Sequence, residues 1–275
     1  MKADLSNKTI LITGSTDGLG KLVARHLAIQ NANVLLHGRN KLKGESVLNE
    51  ITRLTGNKKL KYYNGDFSSF NEVKELSEHI IMDQEHIDIL INNVGIGKGQ
   101  DNKRELSDDG IELRFEVNYL SHVLLTEKLL PLLNDNASSV INVASVGQEP
   151  INFNNLMLDS GYKGLLAYRQ SKTALIMYTF DLANRLKENG IKVNALHPAS
   201  LMNTNMVLQD WGHAMTSVEQ GAEAVENLLF TETTGAYYDG KKLSKAIPQT
   251  YDPKARANLR FAIRSFLDKY ITVSV

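Results

Sequence analysis

The chain has 275 residues, 42% of them apolar and 23% charged, with 31 basic residues against 31 acidic ones. That is ample material for a substantial core, and zero net charge argues against nucleic acid or another polyanion as a primary partner. The absence of cysteine excludes disulfides, thiolate metal sites and a thiol nucleophile. Thr9 to Thr13 reads as a short buried strand, followed by glycines and a helical run from Lys21 to Gln30. Asn33 to His37 predicts a second strand and Lys41 to Leu54 a second helix. Lys59 to Tyr63 is a third strand, Asn71 to Met82 a third helix, and Ile87 to Ile91 a fourth strand. A long helix is expected from Ile111 to Leu133, bent or ended by Pro131. Ser139 to Val143, Ala167 to Glu188 and Ile191 to Leu196 then read as strand, helix and strand. Short apolar strands alternating with helices imply a parallel sheet covered on both faces, wound right-handedly into a three-layer α/β/α Rossmann fold. Neither a linker nor a repeat interrupts the pattern, so a single domain over 1–275 is expected. From about Leu201 the βα rhythm is expected to give way to a substrate cap and a C-terminal flank over 201–275.

The first candidate site lies between the first strand and the first helix, at Thr13-Gly14-Ser15-Thr16-Asp17-Gly18-Leu19-Gly20. Glycines there let the backbone turn sharply and approach a pyrophosphate, and the helix N-terminus offers free N–H groups and positive potential. A dinucleotide is therefore expected, although a ligand-free tight turn would also accommodate the glycines. The second strand ends at His37-Gly38-Arg39-Asn40, with no Asp or Glu between Asn33 and Leu42. An acidic residue would hydrogen-bond the ribose 2′-hydroxyl of NAD, whereas an Arg suits the 2′-phosphate of NADP. Arg39 thus favours NADP, with Asp17 mildly opposing a phosphate nearby.

The second candidate is Tyr168-Arg169-Gln170-Ser171-Lys172. It places a phenol and an ammonium at i and i+4 on one helix face, about 5–6 Å apart at Cβ. A nearby cation stabilises the phenolate and lowers the Tyr168 pKa, making it a usable proton donor at neutral pH. Met202, Met206, Trp211 and Met215 could form an adaptable apolar wall over a substrate, or ordinary helix packing. Ala174 to Phe180 is apolar nearly all round, so that helix is buried on several sides or forms an oligomer interface. The seven histidines show no ligand spacing, and no metal is expected. The polar stretch Met1 to Lys8 lacks a signal peptide's apolar region, and no apolar run approaches about 18 residues. A soluble, cytoplasmic protein without a membrane span is the expectation.

With the glycine loop and the Tyr168/Lys172 pair in hand, the chain resembles the short-chain dehydrogenase/reductase family from about Thr9 to Thr204. The 151–164 insertion and the Ala-Leu-His-Pro run resemble that family's retinol-dehydrogenase and WW-domain-oxidoreductase branch. So do Tyr237-Tyr238 and the segment Pro248 to Leu259. The resemblance implies that Asp66-Phe67 line the adenine site, and that Asn93 and Gly95 of Asn92-Asn93-Val94-Gly95 line the cofactor. It also implies that Pro198 and Thr204 flank the nicotinamide. Among catalytic groups it implies Asn118 as holder of a relay water, Ser145 as donor to the reacting oxygen, Tyr168 as acid/base, and Lys172 as binder of the nicotinamide ribose. Val94 and Ala199 depart from the family's Ala and Gly, and Ala199 would strain the turn if a positive φ were needed. The implied activity is NAD(P)-dependent interconversion of a carbonyl and an alcohol on a small apolar substrate. Two alternatives stay open: a cofactor-sensing or scaffold protein of the same fold, and an epimerase or dehydratase with retained cofactor.

Overall fold

A computed structural model describes residues 5–100, 102–133 and 138–271; Met1 to Asp4 of the polar N-terminal stretch lie outside them. Eight strands form one sheet in the order β3-β2-β1-β4-β5-β6-β7-β8. These are β1 (Thr9–Ile12), β2 (Asn33–Gly38), β3 (Leu60–Asn64), β4 (Ile89–Asn92), β5 (Ser139–Val143), β6 (Lys192–His197), β7 (Ala236–Asp239) and β8 (Lys242–Ser244). Every pairing is parallel except β7 with β8. β1, β4 and β5 are buried along their whole length, as expected where helices cover both faces.

The pleat divides each apolar strand between two cores. Leu11, Leu35, Leu90, Val140 and Val193 join α3 (Phe70–Asp83), α5 (Ser121–Leu129), α6 (Gly164–Arg185) and α9 (Pro253–Leu267) in one cluster. Ile10, Ile12, Val34, Leu36, Ile89, Ile91 and Ile141 join α1 (Gly18–Ile29), α2 (Lys41–Thr55) and α8 (Val218–Glu226) in the other. The architecture is the expected doubly wound α/β/α Rossmann fold. After β3 the chain returns to the other side of β1, so the strand order reverses between β1 and β4. That switch point opens a crevice at the C-terminal strand ends, where ligands bind in such sheets.

Several details differ from expectation. The helix expected over 111–133 starts at Leu113, where Glu112 accepts a hydrogen bond from Phe115 N. It is interrupted by a π-helical segment, Glu116–Leu120, resumes as α5, and ends in a 3-10 turn, Leu130–Leu132, containing Pro131. Pro131 therefore ends the α-helical run, as its missing N–H and ring predict.

The region after Leu201 keeps the βα rhythm. α7 (Asn205–Trp211) and α8 lead into β7, which pairs in parallel with β6. β7 is only Ala-Tyr-Tyr-Asp, too short to stand out as a strand by pattern. Ala174 to Phe180 is buried within this one chain, against the sheet and against Leu259, Ile263 and Leu267 of α9. Among the described residues no helix is long and apolar enough to cross a membrane.

Candidate active site

A cleft of about 800 Å³ runs along the C-terminal strand ends from the glycine loop to α7. At its phosphate end Gly14 and Gly18 adopt left-handed φ values of 64° and 47°, which glycine reaches without steric cost. A Cβ on Gly20 would collide with the Gly14 carbonyl and lie 2.6 Å from Asn93 Nδ2. Asn93 holds the loop by donating from Nδ2 to the carbonyls of Thr13 (2.9 Å) and Gly14 (3.1 Å). Thr13 Oγ1 in turn accepts from Asn93 N at 2.8 Å and Val94 N at 3.1 Å. His37 Nδ1 accepts from Gly14 N at 3.1 Å, leaving Nε2 to donate to the Gly65 carbonyl at 3.1 Å. Burial pushes the His37 pKa down to about 4, so the imidazole is neutral, as that arrangement requires.

Gly14, Thr16, Asp17, Gly18, Leu19 and Gly20 line the cleft. Ser15 does not: it is fully buried, and its Oγ accepts from His37 N at 2.9 Å. Asp17 caps α1 by accepting from Gly18 N, and also accepts from Lys43 Nζ (2.6 Å) and Asn205 Nδ2 (2.9 Å). Burial works against its charge, but these hydrogen bonds prevail and hold its carboxyl below the usual carboxylate range. The Lys43 ammonium thereby offsets the negative charge expected to disfavour a phosphate here. A glycine cradle that a side chain would fill, at a helix N-terminus and opening on a cleft of this size, fits a dinucleotide.

At the rim, Arg39 is 70% exposed, with Nη1 4.0 Å from Asp66 Oδ2. Asp66 Oδ1 accepts from Ser68 N at 3.0 Å. Phe67 is buried between His37 and His122, at ring-centroid distances of 5.0 Å from each.

The opposite end gathers the candidate catalytic groups. Ser145 follows β5; its carbonyl accepts from Tyr237 OH at 3.0 Å and its Oγ from Gly147 N at 2.9 Å. Tyr168 and Lys172 are one turn apart on α6, with Lys172 Nζ 6.0 Å from the Tyr168 ring centroid. Lys172 is 4% exposed and donates to the Val143 carbonyl at 3.0 Å; burial pulls its pKa down to about 8. Tyr168 departs from expectation. Burial raises its pKa above the ordinary phenol value, the Ser145 hydrogen bond opposes that rise, and the Asp210 charge adds to it. The expected lowering by Lys172 does not emerge: the ammonium is engaged by the Val143 carbonyl, and desolvation dominates the phenol.

Asn118 sits in the π-helical segment, fully buried behind the cleft wall. Its Oδ1 accepts from Ile96 N at 2.8 Å, and its Nδ2 donates to Ile96 O (3.1 Å) and Ser171 Oγ (3.0 Å). The amide is therefore committed to positioning the strand-end backbone against α6. Gly95 adjoins both groups: a Cβ there would make ordinary contacts, 3.4 Å from Lys172 Nζ and 3.5 Å from Asn118 Oδ1.

Pro198 and Thr204 both line the cleft, and Thr204 also caps α7 by accepting from Val207 N at 3.3 Å. Ala199 is not in a positive-φ conformation, so the expected turn strain is absent; the left-handed residue is Leu201, with φ 45°. α7 carries Met206, Asp210 and Trp211 to the cleft, Trp211 edge-on to Tyr168 at 6.4 Å. Met202 lines the cleft as well, whereas Met215 is 70% exposed. Asp210, Arg114 and the Tyr237 bond to Ser145 escape sequence reasoning, because nothing in spacing or composition sets them apart from ordinary helix or strand residues.

Comparisons with known proteins find relatives by sequence and by fold. A family model described as short chain dehydrogenase matches residues 8–213. Human retinol dehydrogenase 13 is 32% identical over 281 aligned residues, covering 94% of this chain and 84% of that protein. Human retinol dehydrogenase 11 is 35% identical over 72% of this chain, which spans 63% of that relative's length. A crystal structure of an uncharacterised protein from Mycobacterium paratuberculosis superposes with a TM-score of 0.78 at 27% identity, covering 98% of this chain and 96% of that one.

Proposed function

This chain belongs to the short-chain dehydrogenase family and is an NAD(P)-dependent oxidoreductase, and from that premise we propose that it interconverts a carbonyl and an alcohol on a small, mainly apolar substrate, with NADP(H) preferred. The observation that carries the reading is the meeting of Ser145, Tyr168 and Lys172 at one end of a cleft whose other end is the glycine cradle. When bound, the nicotinamide supplies or accepts the hydride. The backbone N–H groups of the glycine loop and α1 hold the pyrophosphate. Arg39 at the rim takes the 2′-phosphate, with Asp66 and Phe67 at the adenine. Asn93 and Gly95 shape the cofactor channel, Pro198 and Thr204 close it beside the nicotinamide, and Lys172 binds the ribose. Ser145 donates to the substrate oxygen, stabilising the alkoxide that develops there. Tyr168 gives that oxygen its proton in reduction and removes it in oxidation. Burial holds the phenol protonated at neutral pH, the form that donates in reduction, and the Ser145 hydrogen bond works against the rise in its pKa. Asn118 positions the Ile96 backbone and α6, and with them Lys172.

The test is oxidation of NADPH and NADH, followed by the near-ultraviolet absorbance of the reduced nicotinamide, against a panel of aldehydes and ketones. Tyr168→Phe keeps cofactor binding while turnover falls by about 100-fold or more. Near-wild-type turnover in that variant removes Tyr168 from the proton-transfer role.

A further inference from the structure

α7 brings a carboxylate, as well as apolar surface, to the substrate end of the cleft. Asp210 lies against the backbone of the 97–99 segment: a Cβ on Gly97 would collide with its Oδ2, and Gly99 N is 3.4 Å from the same atom. Its neighbour Trp211 packs edge-on against Tyr168, and the Asp210 charge reaches the Tyr168 phenol.

The cations nearby are already committed. Arg169 pairs with Glu149 at 3.6 Å. Arg114 donates to Gly97 O and Tyr162 OH and lies near Glu105 and Glu112. Lys98 donates to Gly99 O and lies over the Trp211 ring at 5.7 Å. Asp210 forms no ion pair among the described residues; its only hydrogen bond there is the long one from Gly99 N. A carboxylate with open acceptor capacity, in a cleft whose lining also includes Leu113, Val117, Leu165, Met206 and Trp211, recognises a donor on an apolar frame.

We propose that Asp210 is a specificity-determining residue, selecting carbonyl substrates that carry a hydrogen-bond donor, best a protonated amine and next a hydroxyl, on an apolar body. The proposal rests on the carbonyl–alcohol reading for the identity of its ligand. A donor that meets Asp210 gains a charge-assisted hydrogen bond, whereas an alkyl group of the same size leaves the carboxylate unmatched. An added carboxylate on the substrate is repelled.

The probes are para-ethyl, para-hydroxymethyl and para-(dimethylaminomethyl) benzaldehydes and the matching benzyl alcohols. The chain's single tryptophan, Trp211, adjoins Asp210, so its emission reports alcohol binding in the presence of NADPH, a pairing of two reduced partners that cannot react. The dimethylaminomethyl alcohol is expected to bind about tenfold more tightly than the ethyl one, the size of one modest charge-assisted contact. Asp210→Asn retains the hydroxymethyl preference through its amide oxygen but loses the preference for the amine; Asp210→Ala loses both. The kcat/KM ratios for the aldehydes follow the same order. Equal affinities in the wild type, or an amine preference surviving in both variants, overturn the proposal. Selective binding with no reduction of any aldehyde supports the Asp210 role and sinks the carbonyl–alcohol reading; reduction indifferent to the para group does the reverse.

Discussion

Lys172 offers a direct test of how burial and function compete in this site. The residue is 4% exposed, and its pKa is pulled from 10.5 down to about 8. A shift of that size corresponds to about 3 kcal/mol, at roughly 1.4 kcal/mol per unit, by which the charged form is disfavoured in the folded protein. The sign follows from proton linkage. Between pH about 8 and 10.5 the unfolded chain holds the proton that the folded chain has lost, so stability from this group rises with pH across that window. Below the window the folded protein carries the full penalty. Lys172→Met removes it and leaves the Val143 carbonyl without its donor, which costs about 1–2 kcal/mol. The net expectation at neutral pH is a cofactor-free variant more stable than wild type by about 1–2 kcal/mol. The advantage should shrink and reverse as pH rises through the window. Urea unfolding of both proteins at a series of pH values, read as a difference so that other titrating groups cancel, measures this directly. A difference that does not change with pH, or a variant less stable at neutral pH, refutes the reasoning. The variant is also expected to bind NADP(H) more weakly, because the ammonium that destabilises the fold is the one proposed to hold the nicotinamide ribose.

Three further outcomes are expected. Arg39→Asp should shift the ratio of NADP to NAD affinity towards NAD by about tenfold, one exposed phosphate contact; an unchanged ratio in equilibrium titrations removes Arg39 from this role. Lys43→Ala leaves the Asp17 carboxylate beside the phosphate loop uncompensated and should weaken cofactor binding by about two- to fivefold, an effect that fades at high salt. Tyr237→Phe removes the hydroxyl bonded to the Ser145 carbonyl; it should lower unfolding free energy by about 1 kcal/mol and reduce kcat more than it raises KM. Full kcat in that variant would leave Tyr237 a packing residue only.

The legible parts of the fold are those whose signal is local. β1, β2 and β5 are short, mainly apolar runs buried along nearly their whole length, so composition and burial coincide. Arg39, Asp66, Asn93, Ser145 and Pro198 lie just beyond successive strands, so locating the strands also located the cleft. The π-helical segment at Glu116–Leu120 was not legible, because a single extra residue in a helical turn leaves the apolar periodicity nearly unchanged. Ser15 shows the opposite limit. Its place in the glycine loop suggests a ligand contact, yet its side chain turns inward to the β2 backbone, a choice made by the tertiary partner His37. β7 was hidden by its length and by the long crossover that precedes it.

The electrostatic character of the site was the least legible property, and Tyr168 explains why. Spacing alone places a cation one turn away and implies an acidified phenol. In the folded chain three influences act on that phenol: desolvation, the Ser145 hydrogen bond, and the charge of Asp210, which lies on a different helix more than 40 residues along the chain. Neither the depth of burial nor the position of Asp210 is encoded in the Tyr-x-x-x-Lys pattern. Lys172 meanwhile loses part of its own preference for charge to the same burial. The pair is thus a phenol held above its ordinary pKa beside an ammonium that the same burial disfavours. α7, the element that carries both Asp210 and Trp211, adds to the rise through the Asp210 charge. Substitutions there are therefore expected to change substrate choice and proton transfer together, while those in the glycine loop change cofactor affinity first.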